Sequence, residues 1–238
     1  MDPTNASRKL WCLGAALLAA MAPRSVAAAI AAVDPHTETR LRNRFEFAGI
    51  AYPPESVTLI ALKQQRALEL WASSDGHTAR IRGYPLQGLS GWPGPKLRAG
   101  DRQVPEGLYQ VTALNPNSAY HLSLKLNYPN HFDRMQARRD GREDPGSNIF
   151  IHGETVSSGC LAVGNRAIEE LFVLAARMGG QDMRVIIAPR DPRSDSLFPI
   201  PYDAPPWTAD LYRTIEREIS RYRLGGARAR ADTAVVGN

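Results

Sequence analysis

Two kinds of hydrophobic spacing divide the chain. VTLIALK (57–63), RALELWAS (66–73) and TARIRGY (78–84) carry apolar residues at alternate positions or in short continuous runs, the spacing of strands. The two-residue gap Gln64-Gln65 predicts a hairpin between the first pair. LYQVTALN (108–115) and HLSLKLN (121–127) extend the pattern. In the latter, His121, Ser123, Lys125 and Asn127 alternate with Leu122, Leu124 and Leu126, which predicts one polar and one buried face. NIFIHG from Asn148 reads as a short buried strand and MRVIIAP (183–189) as another core strand.

Helical spacing appears three times. DPHTETRLRNRFEFAG (34–49) sets Leu41, Phe45 and Ala48 on one side before Tyr52-Pro53-Pro54 breaks it. Asn165 is expected to cap a helix whose stripe is Ile168, Leu171, Phe172 and Ala175, with Gly179-Gly180 as its stop. A last helix, from Pro206 to about Arg223, aligns Leu211, Ile215 and Ile219. The Gly/Pro-dense run 85–107 predicts loops, and the charged stretch 130–147 predicts an irregular surface excursion. The fold class is therefore mixed α/β, mainly β, with no internal repeat. The expected organisation is a helical lead-in over 29–55, a main domain over 56–203, a helix over 204–223 and a disordered tail over 224–238.

The N-terminus adds a compartment. Arg8 and Lys9 precede thirteen apolar residues, Leu10 to Ala22, and small residues follow around Val26 to Ala29. This is the layout of a cleavable secretory signal over 1–28, too short to span a bilayer comfortably, and it implies contact with a membrane only through that segment. Lys9-Leu10-Trp11 before Cys12 lacks the small residues of a lipidation site. Cleavage removes Cys12 and leaves Cys160 as the lone thiol of an exported protein, where cysteines ordinarily pair. Net charge is +5, but much of the excess sits at the two ends, whereas a nucleic-acid binder concentrates it on a folded face. A solvated surface is the commoner meaning of such charge, and an anionic wall polymer the alternative.

The candidate chemistry lies in IFIHGETVSSGCLAVG (149–164). Cys160 falls between a strand and a helix amid Ser157, Ser158 and Gly159, where glycine permits a sharp turn at which peptide N–H groups can meet an oxyanion. A thiol of ordinary pKa is little ionised at neutral pH, and a histidine eight residues earlier, His152, offers the imidazole that activates it. Taken singly, such a histidine satisfies a backbone carbonyl and such a cysteine is a small apolar residue. Their pairing in an exported chain favours a nucleophile. His36, His77 and His131 lack metal-ligand spacing, no phosphate-binding or dinucleotide motif is present, and no cofactor or metal is expected.

Ile-His-Gly followed by Val-Ser-Ser-Gly-Cys-Leu resembles the active-site signature of the L,D-transpeptidase catalytic domain, the YkuD-like family. GDRQVPEGLYQV (100–111) and SAYHLSLKLNYPNHFDR (118–134) are similar to its YafK-like branch. The resemblance spans roughly Val57 to Pro189. It implies a β-sandwich or barrel core, a periplasmic location and peptidoglycan stem peptides as substrate, with a wall-linked lipoprotein as a further partner. It also implies Cys160 as nucleophile, His152 as base, Gly153 orienting the imidazole, and the N–H groups of Cys160 and Gly159 as oxyanion donors. Lys96, His121, Tyr128 and Asn130 would line the cleft with Ser157 and Ser158. Two positions depart from the common Ser-His-Gly-Cys-(Ile/Val)-Arg pattern, because Ser158 replaces the second histidine and Ala162 the arginine. Losing that bidentate cation leaves three readings open: a transpeptidase, an amidase or carboxypeptidase, and a non-catalytic wall-binding module.

Overall fold

The computed structural model describes residues 23–179 and 182–223. The apolar run read as a signal and the stretch read as a C-terminal tail lie outside the described residues. In chain order the elements are α1 (Val26–Ala31), α2 (His36–Ala48), β1 (Ser56–Leu62), β2 (Ala67–Ser74), β3 (His77–Pro85), β4 (Gly107–Asn115) and β5 (Ser123–Leu126). They continue with α3 (His131–Arg139), β6 (Phe150–His152), β7 (Leu161–Ala162), α4 (Asn165–Arg177), β8 (Met183–Ala188) and α5 (Thr208–Ile219).

The strands form one curled mixed sheet in the order β3-β2-β1-β8-β4-β5-β6-β7. The expected hairpin is present, with β1 antiparallel to β2 from Ser56↔Ser73 to Leu62↔Ala67. Two pairs are parallel, β1–β8 and β6–β7. Helices cover both faces, and this explains why β1 ends in an unbroken apolar run from Leu59 to Leu62. Leu59 and Ala61 join the larger core with Leu41 and Phe45 of α2 and Leu171 and Phe172 of α4. Ile60 and Leu62 join a smaller core with Trp71, Leu211, Tyr212 and Ile215. A strand buried on both faces loses the polar alternation of a half-buried one. Among the described residues no helix is long and apolar enough to cross a membrane.

The class and most elements match the sequence reading, and several details differ. Part of the stretch read as irregular, 130–147, is α3. An Asn130–Asp133 capping box starts it, a local signal that outweighs the scarcity of apolar residues. The strand expected over 121–127 shortens to β5, because His121 takes a left-handed backbone (φ +71°) that no ladder accommodates. Asn165 is the first residue of α4 rather than its cap. Gly164 holds the cap position, and the Asn165 side chain turns back to accept the Glu154 N–H at 2.8 Å.

The Gly/Pro-rich loop is fixed from beneath. Buried Lys63 donates to the carbonyls of Trp92 and Val104 and to Glu106, all within 3.2 Å, while Glu106 accepts from the Gly94 N–H and the Tyr212 hydroxyl at 2.8 Å each. One buried ion pair thus ties β1, the loop and α5 together.

Candidate active site

Register places the two candidate groups. In the parallel β6–β7 pair, Ile151 lies beside Leu161 and His152 beside Ala162. Extending that register one residue back sets Cys160 beside Phe150. Residues two apart on an extended strand share a face, so by this register Cys160 and Ala162 lie on the side of the sheet that carries His152.

The turn that delivers Cys160 is closed by serines. Gly159 sits at φ +102°, a conformation that L side chains rarely adopt. The Ser157 hydroxyl donates to the Cys160 carbonyl at 2.6 Å, and the Gly159 N–H donates to Ser90 Oγ at 2.7 Å. The Gly159 N–H is therefore engaged, unlike the oxyanion role the resemblance implied for it. The Cys160 N–H has no hydrogen-bond partner among the described residues.

His152 is held by its neighbour. Its Nδ1 lies 2.6 Å from the Gly153 carbonyl oxygen. A carbonyl only accepts, so Nδ1 carries the proton and the neutral ring keeps its lone pair on Nε2. Gly153 has no room for a side chain: a Cβ would fall 2.6 Å from Asn165 Oδ1 and 2.7 Å from the Tyr120 carbonyl oxygen. The Tyr120 ring, half exposed, lies over the imidazole at 4.6 Å between centroids. Among the described residues, four of the seven non-glycine residues at positive φ, Arg102, His121, Asn148 and Glu154, sit in segments that frame this site. Strained backbone gathers where function fixes geometry.

Burial acts on both groups in the direction of neutrality. It pushes the Cys160 thiol up, against a Phe150 backbone hydrogen bond and the charge of Lys96. It pushes the His152 imidazole down, against the Gly153 hydrogen bond. The sulfur's hydrogen bond goes to the Asn148 carbonyl at 3.8 Å, and none joins it to His152. Both shifts favour a thiol and a neutral imidazole at rest. Alkylation of Cys160 by iodoacetamide is expected to rise with pH to a midpoint above that of a free thiol, about 8.5. A midpoint below neutrality, measured by mass spectrometry over a pH series, contradicts the burial argument.

The remaining candidates separate into three places. Lys96 and Ser158 line a cleft of about 450 Å³ with Arg102, Asp144, Asn148 and Ile149. Lys96 is paired with Asp101 and donates to the Arg98 carbonyl at 2.9 Å. His121 meets Glu169 at 2.8 Å, and its Cβ flanks Gly153. Tyr128 and Asn130 line a separate groove beside Lys125 and Arg134. Their polar groups serve the fold, since the Tyr128 hydroxyl donates to the Pro145 carbonyl at 2.7 Å and Asn130 caps α3 and reaches the Leu108 carbonyl. Ser90, Tyr120 and Asn165 hold the site in place, yet the sequence reading gave none of them a role there. Only Asn165 stood out, and as a cap.

Residues 58–187, more than half of the chain, match the YkuD family, described as the L,D-transpeptidase catalytic domain. The Escherichia coli K12 protein named "Putative L,D-transpeptidase YafK" is 37% identical over 123 residues, which are 50% of this chain and 48% of that protein. The chain thus matches about half the length of that curated relative. Among solved structures, the helical cell shape determining protein Pgp2 of Campylobacter jejuni aligns with TM-score 0.45 and 17% identity, over 71% of this chain and 70% of that one. Bd1075 of Bdellovibrio bacteriovorus aligns with TM-score 0.42 and 21% identity, over 72% of this chain and 56% of that one. On the extent of its family match, this chain belongs to the L,D-transpeptidase catalytic domain family.

Proposed function

We propose that the chain is a peptidoglycan L,D-transpeptidase that works through a thioester on Cys160. The observation that carries this reading is the β6–β7 register, which sets Cys160 and His152 on one face while the Gly153 carbonyl leaves Nε2 basic. The Cys160 thiol gives its proton to Nε2 as sulfur attacks the meso-diaminopimelate carbonyl of a tetrapeptide stem. The oxyanion meets the Cys160 N–H. Collapse breaks the amide, the imidazolium protonates the departing D-alanine amine, and a thioester remains. An acceptor amine then attacks the thioester, gives its proton to His152 and regenerates the thiol. The acceptor is a second stem or a wall-linked lipoprotein, and the N-terminal segment serves as a cleavable signal that delivers the chain to the periplasm.

Hydrolysis of a stem or stem–lipoprotein amide is the second reading, and Ala162 favours it. This residue is fully buried in β7, where its N–H meets the Gly88 carbonyl, so no cation stands at that position to fix an acceptor. Incubation with defined tetrapeptide muropeptides, followed by product masses, decides between them. Dimers formed with loss of D-alanine are the expected result, whereas shortened monomers alone establish the hydrolase. Unchanged substrate, from protein whose Cys160 still alkylates, overturns both.

A further inference from the structure

Arg102 has no role in the reading above, yet it stands beside the nucleophile. Its backbone carbonyl carbon lies 4.0 Å from where a Cβ on Gly159 would be, one residue before Cys160. The side chain is exposed and lines the same cleft as Ser158 and Asn148. Arg102 makes no side-chain hydrogen bond or ion pair among the described residues. The cleft's other charges are engaged: Lys96 pairs with Asp101, and Asp144 accepts the Gly146 N–H at 2.8 Å. The backbone that presents Arg102 is held in a left-handed conformation (φ +54°) next to an Asp101 carboxylate that accepts the N–H groups of Leu97, Arg98 and Gln103 at 3.0 Å each. A free guanidinium on a backbone fixed in this way is prepared for an anion, and its planar fork suits a carboxylate.

We propose that Arg102 is the carboxylate anchor of this active site, binding a carboxylate of the peptide that acylates Cys160. No cation on β7 competes for this role, since Ala162 is sealed in the sheet. The peptide part of this inference rests on the transpeptidase or hydrolase reading, whereas the anion site itself does not.

Two measurements on the purified chain test it. The first compares alkylation of Cys160 by iodoacetate and by iodoacetamide at low ionic strength, where a nearby charge acts on an anionic reagent and not on a neutral one. Arg102→Gln is expected to lower the iodoacetate rate about threefold or more relative to iodoacetamide. Arg98→Gln, an equal loss of charge on the same loop, should leave the ratio unchanged. The second uses stem tetrapeptides with each carboxylate amidated in turn. Arg102→Gln should raise KM about tenfold for the free acid and leave unchanged the peptide whose anchored carboxylate is amidated, which identifies that carboxylate. An unaltered alkylation ratio overturns the anion site. If the ratio falls but the wild-type chain reacts with no stem peptide, the functional reading fails and the anion site stands. If the ratio falls and KM rises equally for every peptide, the site holds an anion that is not the peptide's carboxylate, which overturns the anchor.

Discussion

Cys160→Ala is expected to abolish acylation and turnover altogether, and His152→Ala to lower the acylation rate by about 10²–10⁴. The two losses differ in kind. Without sulfur no thioester forms, so intact-mass spectra of the Cys160→Ala protein with tetrapeptide should show no adduct at any time. Without the imidazole the thiol remains, but burial keeps it protonated, and the barrier to losing that proton falls on the attack itself. Raising the pH should then recover part of the His152→Ala deficit, because the thiolate population grows as pH passes the elevated thiol value. Cys160 is half-buried at the lip of a turn, and Cys160→Ala should melt within a few degrees of the parent. Full turnover by Cys160→Ala would remove the covalent mechanism on this sulfur and require a different catalytic group.

The largest expected effect on stability lies away from the chemistry. Glu106→Ala strands the Lys63 ammonium in the core with only carbonyls for company, which costs about 3–5 kcal/mol. In a domain of this size that lowers Tm by roughly 6–20 °C. Burial already pulls the Lys63 ammonium below its ordinary range, with Glu106 opposing it, so Glu106→Ala should also become less destabilised as pH rises and the lysine loses its proton. Lys63→Met combined with Glu106→Leu should recover part of the loss, because an apolar pair leaves no charge unpaired although the Gly94 N–H and the Tyr212 hydroxyl lose their acceptor. Thermal denaturation followed by circular dichroism reads all three. A Tm for Glu106→Ala within 2 °C of the parent, well inside the expected fall, removes the network from the core's account.

The sequence carried the frame of the fold because periodicity is a local signal. The β1–β2 hairpin, the stripe of α4 and the strand around His152 each announce themselves within ten or so residues. Cys160 and His152 were visible for the same reason, since eight residues are few enough for a strand and a turn to join them. What escaped depends on partners distant along the chain. Ser90 is one polar residue in a glycine-rich run, and only the folded loop brings its oxygen to the Gly159 N–H. Tyr120 reads as a loop aromatic until the left-handed turn at His121 swings its ring over the imidazole. Asn130 misled in the opposite way, for a residue that resembled a cleft group caps a helix hidden under charge.

The bond from Ser90 to Gly159 spans 69 positions of the chain. A polypeptide that has not yet brought those two segments together holds Cys160 on a free hinge, with no fixed donor for an oxyanion and no burial to tune its sulfur. On the thioester reading, reactivity therefore arrives with tertiary closure, and an unfinished molecule carries only an ordinary thiol.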